Sequence, residues 1–292
     1  MLTEGIRGIV MKIFHKPEEL QQYALECKRS GKRIALVPTM GFLHAGHASL
    51  IDIAAKRGDE VIVSIFVNPT QFAPNEDLDK YPRDFENDCK LCEAHGATAV
   101  FAPQPGDMYE NDRSIWVDET TLSKVLCGKS RPIHFRGVLT VVAKLFNLAL
   151  PDVAVFGKKD AQQAIIIKRM VRDLNFPVEI VLGDLIRDTD KVAMSSRNRY
   201  LSDDERVRAR SISESVFYAQ EKLQKSGIAA LEDVIAYAHD HITHAGGEVD
   251  YVEVRDSSTL EEPTVDSRGV LFAVAAFFGT TRLIDNCFVD FN

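Results

Sequence analysis

The chain has 292 residues, of which 45% are hydrophobic and 27% charged, and its formal net charge is −8 at pH 7. This balance is typical of a globular protein with one or two domains, and the acidity argues against a nucleic-acid binder, which needs a broad basic surface. The apolar runs are shorter than the ~18 residues of a membrane-spanning helix, and the N-terminus lacks the pattern of a secretory signal. Five cysteines, an odd number, suit a reducing compartment. The sequence therefore predicts a cytoplasmic protein that does not associate with membranes.

Residues 1–10 precede Met11, which opens the run MKIF, and we expect them to contribute nothing to the fold. Short apolar runs then predict strands at 34–37, 60–67, 98–101, 152–156 and 178–182. Helical patterns between them predict helices at 48–57, 84–95, 138–150 and 160–175. Because runs such as VIVSIFV are apolar on both faces, they favour a buried parallel sheet. The alternation predicts a doubly wound α/β domain that binds its ligands beyond the carboxyl ends of the strands.

The pattern changes after residue 185. Two helices are predicted at 203–225 and 229–243, followed by strands at 251–254, 270–277 and 282–288. This order predicts a smaller α+β domain. We therefore expect a first domain over residues 11–185 and a second over 186–292 that closes over the active site, with the polar segment 184–198 as the hinge region.

Cys89, Cys92 and His95 form a C-x-x-C-x-x-H pattern, which raises the question of a metal or redox site. No second Cys or His pair follows at the spacing of a zinc ribbon or finger. The cysteines also recur at helical spacing with Phe85, inside the helix predicted at 84–95. The pattern therefore favours buried, reduced cysteines.

Residues 39–47 read TMGFLHAGH and join the first of these strands to the helix predicted at 48–57. His44 and His47 have three interpretations: His47 as a helix cap with His44 in a packing role, a zinc site, or a phosphate site. A zinc site needs a third ligand, and the chain has no H-E-x-x-H pattern. For phosphate, Gly41 and Gly46 allow close approach of the backbone, and a helix N-terminus offers free N–H groups. Histidines at that position can donate hydrogen bonds to oxygens that gain charge.

Polar residues follow two further predicted strands. Asn68 begins a turn, and Gln71 brings an amide with donors and an acceptor to the end of a buried strand. Gly157-Lys-Lys-Asp160 places cations beside a helix N-terminus, which is an anion-binding position. In the alternative interpretation, Asp160 and Gln163 form a capping box and the lysines are solvated.

Two more stretches carry basic side chains, the first of them together with hydroxyl groups. Met194-Ser-Ser-Arg197 suits triphosphate oxygens and lies where a loop between domains can close over a nucleotide, although a solvated linker has the same composition. Arg131 and His134 precede the helix predicted at 138–150 and are further candidates, while Arg136 also suits a surface position.

His44-x-Gly-His47 resembles the H-x-G-H element of the nucleotidyltransferase and class I aminoacyl-tRNA synthetase superfamily. The longer string PTMGFLHAGH is similar to that of the pantothenate synthetase (pantoate–β-alanine ligase) family, and the other three loops match that family's motifs in chain order. The resemblance runs from about Met11 to Asn198 and more loosely to the C-terminus, where RLIDN fits the final strand. The sequence departs from it at residues 186–188 (IRD) and 190–191 (DK), where members often have a Val-Arg-Glu-like run and Asp-Gly.

The resemblance implies a Rossmann-like N-terminal domain with an ATP site and a substrate site. The implied ATP contacts are Met40, Gly41, Phe42, Leu43, His44, Ala45, Gly46, His47, Gly157, Lys158, Lys159, Asp160, Ile186, Met194, Ser195, Ser196 and Arg197. Gln71 is implied to contact pantoate and β-alanine, and Gln163 to contact pantoate. Asn68 and Tyr81 are implied to lie near the substrate and the phosphates. The implied catalytic residues are His44, His47 and Lys159.

The implied reaction is the ATP-dependent condensation of pantoate with β-alanine through a pantoyl adenylate, which releases AMP and pyrophosphate. Mg²⁺ is expected to arrive with ATP rather than in a cage of protein ligands, and the enzyme is expected to be a homodimer. Another H-x-G-H nucleotidyltransferase is the alternative enzyme, and a non-catalytic nucleotide-binding protein on the same fold is the alternative outside enzymes. A class I synthetase fits less well because the chain is acidic and lacks a large basic region.

Overall fold

The computed structural model describes residues 11–74 and 76–291. Residues 1–10, for which the sequence predicts no part in the fold, lie outside the described residues. Within these bounds, a six-stranded parallel sheet with flanking helices comes first, and a three-stranded antiparallel sheet with helices follows. This order confirms the predicted fold class. No helix in the described part of the chain is both long and apolar enough to cross a membrane.

The central strands of the first sheet are buried because their side chains are apolar on both faces. In chain order the strands are β1 (Lys12–Phe14), β2 (Ile34–Thr39), β3 (Glu60–Ile65), β4 (Ala99–Phe101), β5 (Val153–Gly157) and β6 (Glu179–Gly183). They pair in parallel in the spatial order β1-β4-β3-β2-β5-β6. The chain thus moves from β2 to β3 on one side and later places β5 on the other side of β2. The strand order therefore reverses between β2 and β5.

Helices cover both faces of this sheet. They are α1 (Pro17–Arg29), α2 (Ala45–Ala55), α3 (Phe85–Ala94), α4 (Pro105–Met108), α5 (Leu126–Ser130), α6 (His134–Ala149) and α7 (Ala161–Asp173). Short 3₁₀ turns occur at Pro69–Gln71, Leu122–Lys124 and Lys158–Asp160. Helices α1, α6 and α7 share one core with the sheet, and α2 and α3 share another on the opposite face.

The second sheet belongs to a smaller unit with its own core. Its elements are α8 (Asp203–Ser226), α9 (Leu231–His244), β7 (Glu248–Asp256), β8 (Gly269–Phe278) and β9 (Thr281–Asp290). The strands are antiparallel in the order β7-β8-β9, so β8 is central. Helix α8 begins with a capping box between Ser202 and Glu205, and 3₁₀ turns lie at Ser196–Tyr200 and Gly227–Ala230.

The observed elements differ from the predicted ones mainly at helix starts. Helix α2 begins at Ala45, three residues before the predicted position, because the His44 side chain caps it. Helix α6 begins at His134 rather than at residue 138. The sequence analysis did not predict β1 or the helices α1, α4 and α5. Cys92 is buried and Cys89 half-buried within α3, as the helical spacing indicated.

Candidate active site

A cavity of about 220 Å³ lies at the carboxyl ends of β2 and β5. Within the described residues these two strands pair at only two positions, Ala35 with Val153 and Leu36 with Ala154. Each strand continues three residues further along the chain without pairing to the other. The strands therefore part where the strand order reverses, which is where doubly wound sheets bind ligands.

Residues from all four predicted loops line this cavity: the first loop is 39–47, the second 67–72, the third 156–163 and the fourth 194–197. The predicted site residues in its lining are Met40, His44, Gly46, His47, Asn68, Gln71, Tyr81, Gly157, Lys159, Asp160, Gln163, Ile186, Met194, Ser195, Ser196 and Arg197. The candidates Arg131 and His134 line it as well. Among the described residues, the predicted ATP contacts outside the lining are Gly41, Phe42, Leu43, Ala45 and Lys158.

A buried carboxylate holds the turn that precedes His44. Gly41 and Phe42 both have positive φ angles, 81° and 52°, so the chain turns sharply after β2. Asp88 of α3 accepts hydrogen bonds from the backbone N–H of Phe42 at 2.9 Å and of Leu43 at 2.6 Å. A Cβ on residue 41 would lie 3.1 Å from the same carboxylate. The backbone N–H groups of Phe42 and Leu43 are therefore engaged by the protein itself.

The two histidines are linked to the backbone through their Nδ1 atoms. His44 Nδ1 accepts a hydrogen bond from the N–H of Gly46 at 3.1 Å, and His47 Nδ1 accepts one from the N–H of His44 at 3.3 Å. His44 is thus the cap of α2, a role that the packing interpretation gave to His47, and His47 completes the capping box. Since both Nδ1 atoms are acceptors, each neutral ring carries its proton on Nε2.

Both imidazoles are neutral near pH 7. Desolvation, followed by the positive charge of Lys159, lowers the pKa of His44 to about 4. Desolvation, with His44 and Lys159 as further causes, lowers the pKa of His47 well below its usual value. The site therefore contains two Nε2–H donors that carry no net charge, which is a suitable arrangement for oxygens that gain charge in a transition state.

Asn68 fixes the orientation of Gln71. The Asn68 side chain is buried, and its Nδ2 donates to Gln71 Oε1 at 3.0 Å and to the Gly137 carbonyl at 3.1 Å. Its Oδ1 accepts a hydrogen bond from the Tyr109 hydroxyl at 2.8 Å. Because Asn68 occupies the Oε1 of Gln71, the Nε2 donor of Gln71 faces the Met40 sulfur at 3.2 Å and the cavity.

Helix α6 approaches the 3₁₀ turn of Gln71 very closely at Gly137. A Cβ on Gly137 would lie 2.4 Å from the carbonyl oxygen of Thr70 and 2.6 Å from the backbone nitrogen of Gln71, so only glycine fits. The next turns of the same helix form an apolar wall of the cavity. The side chains of this wall are Val138, Val141, Val142 and Leu145.

The side chains of the two lysines in the third loop have different surroundings. Lys158 donates to Asp184 at 2.6 Å, whereas Lys159 lines the cavity and has no carboxylate partner within the described residues. The Asp160 side chain makes no capping hydrogen bond, so the capping box with Gln163, which was the alternative interpretation, does not form. The side chains of Asp160 and Gln163 instead border the cavity.

Two arginines in the cavity lining are each held by a carboxylate. Arg197 donates from Nε and Nη2 to both oxygens of Asp77, each at 2.8 Å. Arg131 donates in the same way to both oxygens of the neighbouring residue Glu76, each at 2.6 Å. Burial alone would raise the pKa of Asp77, but the hydrogen bonds from Arg197 lower it below its usual value. Desolvation and the charge of Arg131 lower the pKa of His134 to about 3.

The segment between residues 184 and 198 forms another wall. The N–H of Met194 donates to the Ile186 carbonyl at 3.0 Å, which closes this segment into a narrow loop. Ser196 Oγ donates to the Phe42 carbonyl at 3.2 Å and thereby joins the fourth loop to the first. The Ser195 hydroxyl accepts a hydrogen bond from the N–H of Arg197 at 3.3 Å.

Several residues that shape the site were not identified from the sequence. Asp88, Gly137 and the Glu76–Asp77 pair act through contacts between distant parts of the chain, and their local sequences carry no distinctive pattern. Asn286 of β9 also belongs here, because its Nδ2 donates to the carbonyls of Lys158 and Lys159. The only signal in the sequence was that all of these residues lie within the part of the chain that resembles the family, Asn286 as the last residue of RLIDN.

The sequence and the fold are both similar to those of known proteins. The sequence model of the family described as Pantoate-beta-alanine ligase matches residues 12–288. A pantothenate synthetase of Clostridium novyi is 51% identical over 273 residues, which cover 93% of this chain and 96% of that protein. A crystal structure of pantothenate synthetase from Thermus thermophilus has a TM-score of 0.88 at 36% identity and covers 95% of this chain and 99% of that one.

A second similar structure was solved with ligands bound. The pantoate-beta-alanine ligase from Francisella tularensis, complexed with beta-gamma ATP and beta-alanine, has a TM-score of 0.79 at 31% identity. The alignment covers 95% of this chain and 97% of that one.

Proposed function

The chain belongs to the pantoate-beta-alanine ligase family, and from this premise we propose how its cavity condenses pantoate with β-alanine. The enzyme is an ATP-dependent ligase that forms an amide bond through a pantoyl adenylate and releases AMP and pyrophosphate. One observation supports the cavity as the place of this reaction: loops as distant in sequence as Met40 and Arg197 surround it together.

In the first step, an oxygen of the pantoate carboxylate attacks the α-phosphorus of ATP, and pyrophosphate leaves. Two anions must be held close together, so charge neutralisation and orientation supply most of the catalysis. Lys159 supplies a positive charge for the phosphates, since no carboxylate of the described residues pairs with it. His44 and His47 donate from Nε2 to phosphate oxygens as the charge on these oxygens grows.

In the second step, the amine of β-alanine attacks the acyl carbon, the amine loses a proton, and AMP leaves as the acyl–oxygen bond breaks. The protein forms no covalent bond in either step. Gln71 presents its Nε2–H to the pantoate carboxylate and lies beside the β-alanine position, and Gln163, which also lines the cavity, contacts pantoate. The apolar wall of α6 accommodates the branched hydrocarbon end of pantoate.

The remaining nucleotide contacts follow the family resemblance. Ser195, Ser196 and Arg197 bind phosphate oxygens from the fourth loop, and the main chain near Ile186 contacts the nucleotide. Arg197 already holds Asp77, so ATP must compete with that carboxylate or share the guanidinium with it. Asn68 and Tyr81 act near the substrate, Asn68 by orienting Gln71.

The proposed ATP site would hold Mg²⁺ together with the nucleotide rather than in a cage of protein ligands. Within the described residues, no group of three or more His, Cys, Asp or Glu side chains is arranged to hold a metal ion. Magnesium commonly binds through one or two carboxylates together with substrate phosphates, and Asp160, which lines the cavity next to Lys159, fits this use. The ion supplies charge neutralisation on the phosphates.

The organisation of the chain follows the same proposal. Residues 11–185 bind ATP and pantoate, and residues 186–292 close over the site, since the segment at their junction lines the cavity. The family resemblance supports a homodimer. The acidic composition and the free cysteines suit a cytoplasmic enzyme that works without nucleic acid or membranes.

The test measures AMP release from ATP and Mg²⁺ with pantoate and β-alanine, omitting each substrate in turn. We expect AMP only when both are present, and pantoate-dependent exchange of pyrophosphate into ATP without β-alanine. Lys159→Ala should abolish most of the exchange, whereas Lys168→Ala, an equal charge change on the exposed face of α7, should retain it. ATP binding without exchange or AMP release would instead indicate a binding protein or another nucleotidyltransferase.

A further inference from the structure

Strand β9 of the smaller unit reaches the third loop of the active site through one amide side chain. Asn286 is buried, and its Nδ2 donates to the carbonyl of Lys158 at 3.1 Å and to the carbonyl of Lys159 at 2.8 Å. Both hydrogens of this amide are therefore used on consecutive peptide groups of the turn that carries Lys159.

The position of Asn286 is itself well defined. It pairs with Ala273 of β8 in the antiparallel ladder, four residues before the end of β9. The preceding residue, Asp285, is buried and accepts hydrogen bonds from the Arg187 guanidinium and from the N–H of Asn286. Because successive side chains of a strand point to opposite faces, this dipeptide holds two walls of the cavity at once: the Lys158–Asp160 turn and the loop of Arg187.

We propose that Asn286 is a positioning residue for adenylate formation, which acts by fixing the turn that carries Lys159. The inference rests on the role of Lys159 proposed above. The Lys159 side chain is long and flexible, so the location of its ammonium group depends on the anchoring of its backbone. A displacement of about 1 Å in a catalytic group can reduce a rate by ~10²-fold, so loss of this anchor should be visible in turnover.

An isosteric substitution separates the hydrogen bonds from the volume of the side chain. Asn286→Asp keeps the shape but faces the two carbonyls with a carboxylate, which has no donors to offer them. We expect pantoate-dependent pyrophosphate exchange to fall by ~10²-fold in kcat, with a much smaller change in the KM of pantoate. If the Asp variant folds poorly, Asn286→Ala replaces it, since this variant removes the donors without adding a charge. It should show the same large fall in kcat with a small change in the KM of pantoate.

The matched control lies on the next residue of the same strand. Cys287 is half-buried and faces the smaller core, with its Sγ 3.8 Å from the Val216 carbonyl. Cys287→Ala removes side-chain volume there and should leave kcat within about twofold, because it does not touch the Lys159 turn. A similar loss of kcat in Cys287→Ala and in the Asn286 variants would overturn the proposal. It would show that destabilisation of the smaller unit, rather than loss of the two hydrogen bonds, lowers the rate.

A double-mutant cycle with Lys159→Ala gives the decisive comparison. If Asn286 acts through Lys159, adding Asn286→Asp to Lys159→Ala should change the residual exchange rate by less than about twofold. Equal losses in both backgrounds would overturn the positioning role while leaving the role of Lys159 intact. An unchanged rate in Lys159→Ala alone would instead overturn the proposed role of Lys159, and the inference that rests on it.

Discussion

The N–H of His44 donates to Nδ1 of His47 at 3.3 Å, so the backbone of one histidine fixes the ring of the other. Their ring centroids are 4.1 Å apart. This contact joins the cap of α2 to the two Nε2–H donors of the cavity. The same hydrogen bond therefore serves the start of the helix and the orientation of a proposed catalytic group.

His47→Ala should reduce adenylate formation by ~10²–10³-fold, the usual loss for one donor to a charged transition-state oxygen. The measurement is pantoate-dependent pyrophosphate exchange at saturating ATP. His95→Ala is the matched control, because His95 is half-buried at the end of α3 and pairs with Asp52 rather than with the cavity. A nearly normal rate in His47→Ala would remove this residue from the mechanism.

Gln71→Ala should impair the use of both pantoate and β-alanine, because its Nε2 lies between the two proposed substrate positions. Gln71→Glu is a sharper variant, since it keeps the shape but sets a carboxylate against the pantoate carboxylate. We expect kcat/KM for pantoate to fall by about 10–100-fold in either variant, the range for a hydrogen bond to a charged group. A defect confined to the KM of ATP would contradict the assigned place of Gln71.

Asp77→Asn should strengthen ATP binding, although it weakens an ion pair. Arg197 donates to both oxygens of Asp77, so the triphosphate has to compete with a carboxylate for this guanidinium. Removing the negative charge should lower the KM of ATP by about fivefold, the equivalent of a partly exposed pair of ~1 kcal/mol. Asp79→Asn, two residues away, provides the control. A rise in the KM of ATP would show that Asp77 is needed to orient Arg197.

The stability of the enzyme should fall as the pH decreases from about 6.5 towards 4. The pKa of His134 is lowered to about 3 and that of His44 to about 4, so the unfolded chain takes up protons in this window before the folded protein does. Each such histidine adds about 1.4 kcal/mol per pH unit to the slope of the free energy of unfolding. His134→Asn should therefore reduce that slope by about this amount in urea titrations at pH 4.5–6. An unchanged slope would mean that His134 does not titrate abnormally.

Gly137→Ala should destabilise the fold by about 1–3 kcal/mol through overpacking against the Thr70 carbonyl. Because the clash falls on the turn of Gln71, the same variant should raise the KM of pantoate. Gly106→Ala is the control, since a Cβ there meets no atom within 4 Å. Thermal unfolding and steady-state kinetics check the two effects separately. A stable variant with an unchanged KM would show that the turn adjusts freely.

The sequence predicted the parallel sheet because its central strands are apolar on both faces, and the structure confirms that fold class. It did not predict β1 or α1. The edge strand β1 has only three residues, and α1 is strongly polar, so neither has a long apolar signal. Helix α2 begins earlier than predicted because a histidine, rather than one of the usual capping residues, caps it.

The loops around the cavity were located from turn residues and from the family resemblance, but their internal anchors were not. Asp88 contacts the backbone of Phe42 and Leu43 across more than 40 residues of chain. Sequence patterns report local periodicity, and no periodicity links α3 to that turn. Contacts of this kind, between distant parts of the chain, become visible only in the folded structure.

The separation of β2 from β5 above Leu36 also affects how binding and unfolding are linked. Where the two strands part, the sheet lacks the ladder hydrogen bonds that would otherwise close its centre. In the proposed binding mode, a substrate in this gap would contact both halves of the sheet and link them for as long as it is bound. Ligand at 100 times its dissociation constant should raise the free energy of unfolding by about 2.7 kcal/mol. The melting temperature of this enzyme should therefore rise with substrate concentration, which gives a label-free test for substrate binding.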